Sequence, residues 1–178
     1  MASNAPKPAA REPRDEPLSP AVLREIGLFG ALPDAVLEHL ARSLKAFRVT
    51  PGETVFREGD GAGHEMFVVL DGEMEVTKRS RRGRDVRVAI LGPTDWFGEM
   101  SVLDMQARSA TVRALGPSRL IRFTSEDMDA LYRFDLKSYA LIVLNIARDL
   151  SRRLRVTDGI LADFTVNVLD EYVGSAKR

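Results

Sequence analysis

Two charged side chains nine positions apart, Glu99 and Arg108, could hold the two polar ends of one small anion. They lie in DWFGEMSVLDMQARSATVRA, residues 95–114. Arg108 carries an always-charged fork that can pair with two phosphate oxygens. Ionised Glu99 only accepts hydrogen bonds, which suits a sugar hydroxyl. Between them, Gly98 leaves the backbone free of a side chain, and Glu99 to Leu103 can form about one and a half helical turns. Free N–H groups at the start of such a turn, around Gly98 to Met100, favour an anion. Trp96 and Phe97 suit a strand before it, and Ser109 to Ala114 a strand after it. The segment offers a phosphate clamp and a ribose acceptor. The plainer alternative is a strand–turn–strand with a surface Glu99–Arg108 ion pair.

The residues Phe97, Gly98, Glu99, Arg108, Ser109, Ala110, Thr111, Val112 and Ala114 resemble the phosphate-binding cassette of cyclic-nucleotide-binding domains. That resemblance implies an eight-stranded antiparallel jelly-roll β-barrel, preceded by short helices and followed by a long helix. It implies cyclic AMP or cyclic GMP as ligand, with phosphate on Arg108, Ser109 and the Gly98–Met100 backbone, and the ribose on Glu99. One departure precedes the cassette. The family commonly has glycine where this chain has Thr94, in Leu91-Gly92-Pro93-Thr94-Asp95. A β-branched residue resists positive φ, so the turn has another shape or is strained.

The elements that must position these residues can be read along the chain. Residues 1–17, rich in Ala, Pro and mixed charge, read as a disordered arm. Ser19-Pro20 reads as cap and first residue of a helix to Ile26, and Pro33 begins a second. Turn signals every eight to twelve residues then mark strands near 45–49, 54–56, 65–70, 73–78, 85–91, 96–97, 109–115 and 118–124. Asp71-Gly72 between MFVVL and EMEV predicts a hairpin. Arg81 to Arg84 forms a basic turn. Val69, Leu70, Ala89 and Leu91 are candidates for an apolar pocket lining, with core packing the simpler role for the first two. A helix is expected over Glu126–Arg133.

From Asp135 to about Leu169 there is no proline. Val143, Ala147, Leu150, Leu154, Leu161, Phe164 and Val168 recur at four- and three-residue spacing, broken by Thr157, which is a heptad seam. The seam predicts a homodimer through the long helix, or else packing on the chain's own barrel. Gly159 marks a bend or fraying point. Arg152 to Thr157, RRLRVT, is similar to the central helix of bacterial catabolite-activator sensors. The resemblance places Thr157 at the base and Arg153 near Glu99 and the phosphate. It also gives the next position, from the partner subunit, to the base. Asp158 stands there, and a carboxylate accepts from adenine's amino group or from guanine's donors. Base identity stays open. The expected units are the arm 1–17, the barrel with its flanking helices 18–134, the dimerisation helix 135–170 and a tail 171–178.

With 178 residues, 44% of them hydrophobic, the chain can bury a core, and its zero net charge points to no nucleic-acid partner. It has no cysteine, excluding disulfides and thiol catalysis. Two histidines, His39 and His64, are too few for a jelly-roll metalloenzyme, so no metal, cofactor or catalytic residue is expected. No apolar run spans a membrane and no signal peptide opens the chain; a cytoplasmic location is expected. The family's DNA-reading helices have no counterpart after Val168, so the expectation is a stand-alone receptor acting on a separate partner protein. A ligand-free scaffold of the same fold and a cyclic-dinucleotide sensor are the rival expectations.

Overall fold

The computed structural model describes residues 18–61 and 65–175, with side chains through Val166. The expected arm over 1–17 and His64 lie outside the described residues. Helix α1 (Pro20–Arg24) begins as expected, with the Val22 N–H donating to Ser19 Oγ at 3.3 Å. It stops before Ile26, which caps a 3-10 turn, Gly27–Phe29. Helix α2 is Asp34–Ser43. The strands are β1 (Lys45–Val49), β2 (Thr54–Phe56), β3 (Glu65–Asp71), β4 (Met74–Arg79), β5 (Asp85–Leu91), β6 (Trp96–Phe97), β7 (Thr111–Ala114) and β8 (Ser118–Thr124). Helix α3 (Glu99–Asp104) lies between β6 and β7, and α4 (Ser125–Phe134) and α5 (Leu136–Ser175) follow β8.

The strands form two antiparallel four-stranded sheets, ordered β1-β8-β3-β6 and β2-β7-β4-β5. They face each other as a jelly roll and do not close into the expected ring. Alternation along β3 and β6 explains why one sheet reads as a continuous apolar run. Phe67, Val69 and Phe97 point between the sheets, and Met66, Val68 and Trp96 point to the helices on the other face. Both faces are covered, so neither set can be polar. The second sheet buries only one face. Its outward Glu75 pairs with Arg113 at 2.6 Å and lies 3.7 Å from Arg87.

Two sequence expectations change here. Asp71-Gly72 is not a hairpin: β3 and β4 belong to different sheets, and the turn carries the chain across the core. Gly72 has φ +85°, and a Cβ there would lie 2.2 Å from Ser118 Oγ. The turn chemistry was read correctly, but positive φ serves an inter-sheet corner as well as a hairpin. The true hairpin is the basic turn between β4 and β5, closed by Ser80 N–H to Arg84 O at 2.7 Å. The strand expected from Ser109 starts only at Thr111. Arg108 instead spends its backbone on the 58–60 turn: its N–H donates to Asp60 O at 2.9 Å, and Gly59 N–H donates to its carbonyl at 2.9 Å.

Helix α5 has two regimes. Ser138, Ile142 and Ile146, four residues apart, are fully buried against the body, and Asn145 Nδ2 donates to Leu28 O and Gly30 O at 3.1 Å each. Val143 and Leu150, counted in the seam, pack on this core. Beyond them Leu154, Leu161 and Phe164 are exposed. Val168's side chain lies outside the described residues. Gly159 does not end the helix, which continues to Ser175, past the expected boundary at 170.

Candidate functional site

Gly98 sits at φ +85°, ψ 2° and caps α3. This left-handed residue turns the chain sharply out of β6, so that Glu99 enters the protein interior at 3% exposure. A Cβ on Gly98 would lie 2.8 Å from the Arg108 guanidinium, so only glycine admits both groups. Arg108, 5% exposed, threads back beneath the turn. Its Nη1 donates to Glu65 O at 2.9 Å, Ser101 Oγ at 2.7 Å and Gly98 O at 3.2 Å. The guanidinium carbon lies 4.2 Å from the centre of the Phe56 ring. The second terminal nitrogen has no hydrogen bond among the described residues. Burial lowers the pKa of this guanidinium, partly offset by Glu65, Asp60 and Glu99.

Burial raises the pKa of Glu99, opposed first by Arg153. Arg153 reaches in from α5. Its Nη1 lies 3.6 Å from Glu99 Oε1, its Nη2 donates to Trp96 O at 3.0 Å, and its Nε lies 2.7 Å from Asp149. A residue of the long helix therefore touches both ends of the β6–α3 turn.

These groups wall a cavity of about 710 Å³. Of the residues singled out from sequence, Phe97, Gly98, Glu99, Met100, Arg108, Ser109, Ala89, Leu91, Arg153 and Thr157 line it. Ser109 and Met100 meet at the rim, with Oγ 3.6 Å from the sulfur. Thr157 is exposed, and its hydroxyl donates to Arg153 O at 2.9 Å. Asp158 is exposed and does not line the cavity of its own chain. Val69 is fully buried between the sheets, and Leu70 packs on the helical side; both serve the core. His39 stacks on Phe134, with ring centres 4.1 Å apart. Among the described residues there is no cluster able to hold a metal, and no helix is long and apolar enough to cross a membrane.

Sequence reasoning missed Phe56, Ser101, Lys78, Arg152, Val156 and Ile160 as lining residues. For Val156 and Ile160 a signal existed: they follow Arg153 by three and seven residues, on one helical face. Phe56 and Ser101 gave none, because their approach to Arg108 depends on how β2 and α3 fold over it.

A jelly roll whose cavity wall holds a buried arginine and a buried carboxylate offers a cation and a hydrogen-bond acceptor to whatever enters it. Comparison with known proteins makes the class specific. The model of the cyclic nucleotide-binding domain matches residues 46–134, and the chain belongs to that family. The CRP-like cAMP-activated global transcriptional regulator of Mycobacterium tuberculosis is 31% identical over 142 residues, 80% of this chain and 61% of that protein. The crystal structure of the Thermus thermophilus catabolite activator protein is 30% identical with a TM-score of 0.68, covering 78% of this chain and 63% of that one. A cyclic nucleotide-binding domain from Methylobacillus flagellatus shares the fold at a TM-score of 0.72, 24% identity and 80% coverage of each chain. The chain spans about three fifths of the length of the Mycobacterium tuberculosis regulator and of the cyclic AMP receptor protein of Thermus thermophilus.

Proposed function

We propose that this chain is a non-catalytic receptor for a cyclic mononucleotide, with cyclic AMP favoured over cyclic GMP. The observation that carries the reading is the burial of Arg108 and Glu99 in the wall of one cavity. The phosphate docks on the second terminal nitrogen of Arg108 and on the Ser109 hydroxyl. Glu99 accepts from the ribose 2′-hydroxyl. The purine lies between Ala89 and Leu91 on one side and α5 on the other. Thr157 already donates its proton to Arg153 O, so its lone pairs are what it has left to offer the cavity. They suit a base edge that donates, as adenine's amino group does.

Signal transfer is a population shift. The ligand bridges the cassette and α5 and so favours one angle of that helix. The exposed Leu154, Leu161 and Phe164 support a homodimer through α5, in which Asp158 of the partner subunit meets the base. The helix angle is the output that a downstream partner reads. Lys78 and Arg152 at the cavity wall keep a cyclic dinucleotide as the second ligand to test.

The test is a thermal-shift titration with cyclic AMP, cyclic GMP and a cyclic dinucleotide. A ligand at 100 times its dissociation constant stabilises the fold by about 2.7 kcal/mol. Arg108→Ala removes a charge-assisted contact of about 1.5–3 kcal/mol and should weaken binding tenfold to a hundredfold. No shift with any of the three overturns the receptor reading and favours a ligand-free dimerisation module.

A further inference from the structure

Arg153 is anchored at two corners, and neither anchor is Glu99. Nε lies 2.7 Å from Asp149 Oδ2, one helical turn earlier, and Nη2 donates to Trp96 O at 3.0 Å. Nη1 stops 3.6 Å from Glu99 Oε1, beyond hydrogen-bond reach. The Asp149 contact is an ion pair without an aligned hydrogen bond. It is not a loose surface pair: the Asp149 side chain is 19% exposed and its Oδ2 is buried. Asp149 does not line the cavity and cannot touch a ligand there.

Without the Nε anchor, a guanidinium this close to a desolvated carboxylate would close on it as a two-bond fork. Glu99 is 3% exposed, so little water competes. That fork would occupy the oxygens that a ligand hydroxyl needs. We infer that Asp149 is a positioning residue that keeps Glu99 open by holding Arg153 short of it. The inference rests on the receptor reading above. Asp149 thereby sets the preference for a ligand with a free hydroxyl beside the cyclic phosphate, while leaving the phosphate contact intact.

The experiment compares cyclic AMP with its 2′-deoxy analogue on the full chain, by calorimetry, in wild type, Asp149→Ala and Asp149→Glu. Wild type should prefer the ribonucleotide by roughly tenfold to a hundredfold, the strength of a hydrogen bond to a charged group. Asp149→Ala should reduce that preference to about threefold or less, with no loss of affinity for the deoxy analogue, and Asp149→Glu should restore it. A merely structural role would weaken both ligands equally. Equal weakening, an unchanged preference in Asp149→Ala, or no preference in wild type overturns the inference. If wild type binds neither cyclic AMP nor its analogue, cyclic AMP falls as the ligand, separately from the inference. A crystal structure of unliganded Asp149→Ala then decides. Arg153 closed on Glu99 as a two-bond fork upholds the positioning role, and Arg153 still short of Glu99 overturns it.

Discussion

The two walls of the cavity are built on opposite principles. The cassette wall is held together by its own contacts. Gly98 is in the left-handed conformation, Glu99 and Arg108 are buried, and one guanidinium nitrogen satisfies three acceptors. The α5 wall has Val156, Thr157 and Ile160 exposed, held near the cassette by Arg153. Preorganised donors lose little entropy on binding, so the cassette is suited to affinity. The exposed half of α5, tied to the cassette through Arg153, is suited to movement. The contrast is a division of labour that the proposed function would use: polar groups are fixed in the cassette wall, and apolar groups stay exposed on the helix wall.

The sharpest way to break that contrast is Gly98→Ala. A non-glycine residue at φ +85° costs about 1–3 kcal/mol, and its Cβ would also displace Arg108. Denaturant unfolding should show a loss near 3 kcal/mol, and nucleotide affinity should fall with it. The opposite wall should respond in the opposite way. Leu161→Asp, on the exposed part of α5, should leave the unfolding of the body within about 0.5 kcal/mol of wild type and convert a dimer to monomer in sedimentation. A monomeric wild type would remove the dimer from the proposal. Glu99→Gln separates stability from function within the cassette. Burial raises the folded pKa of Glu99 above its ordinary 4.5, so the folded state holds that proton more tightly than the unfolded chain. Stability therefore falls as pH rises from the ordinary value through the raised one, and stays lower above it. Glu99→Gln should flatten that slope in pH-dependent melting and melt higher than wild type at pH 7. It should also bind the nucleotide less well. A steeper or unchanged slope would remove Glu99 as its source.

How much of this was legible in the residues differs between the walls. The cassette was readable because its chemistry is local. Gly98, Glu99 and Arg108 lie within eleven residues, so that their meeting around one turn follows from short spacing. Strand positions were readable because each turn carries its own signal. What failed was pairing. Asp71-Gly72 looked like a hairpin, because a local turn cannot say which sheet the next strand will join. The α5 wall was half legible: periodicity marked a stripe but could not tell that Val143 and Leu150 pack on the chain's own core. Ser101 and Asp149 were invisible, since each acts through an arginine brought to it by tertiary folding.

Thr94 gives the smallest test, and it concerns the approach to the cassette. The sequence left two options for this turn, another shape or strain, and the structure shows strain: Thr94 has φ +74°. The turn keeps its shape because the backbone holds it on both sides. Thr94 N–H donates to Val69 O at 2.9 Å, Val69 N–H donates to Asp95 O at 2.8 Å, and Gly92 N–H donates to Asp95 Oδ2 at 2.9 Å. A β-branched residue held left-handed costs of order 1–2 kcal/mol, and glycine would return about 0.5–1 kcal/mol of that through its greater freedom in the unfolded chain. Thr94→Gly should therefore stabilise the fold by about 0.5–1 kcal/mol in denaturant unfolding and leave nucleotide affinity unchanged. A fall in affinity would mean that the turn is strained only without ligand, and the cassette wall would then be less finished than its buried charges imply.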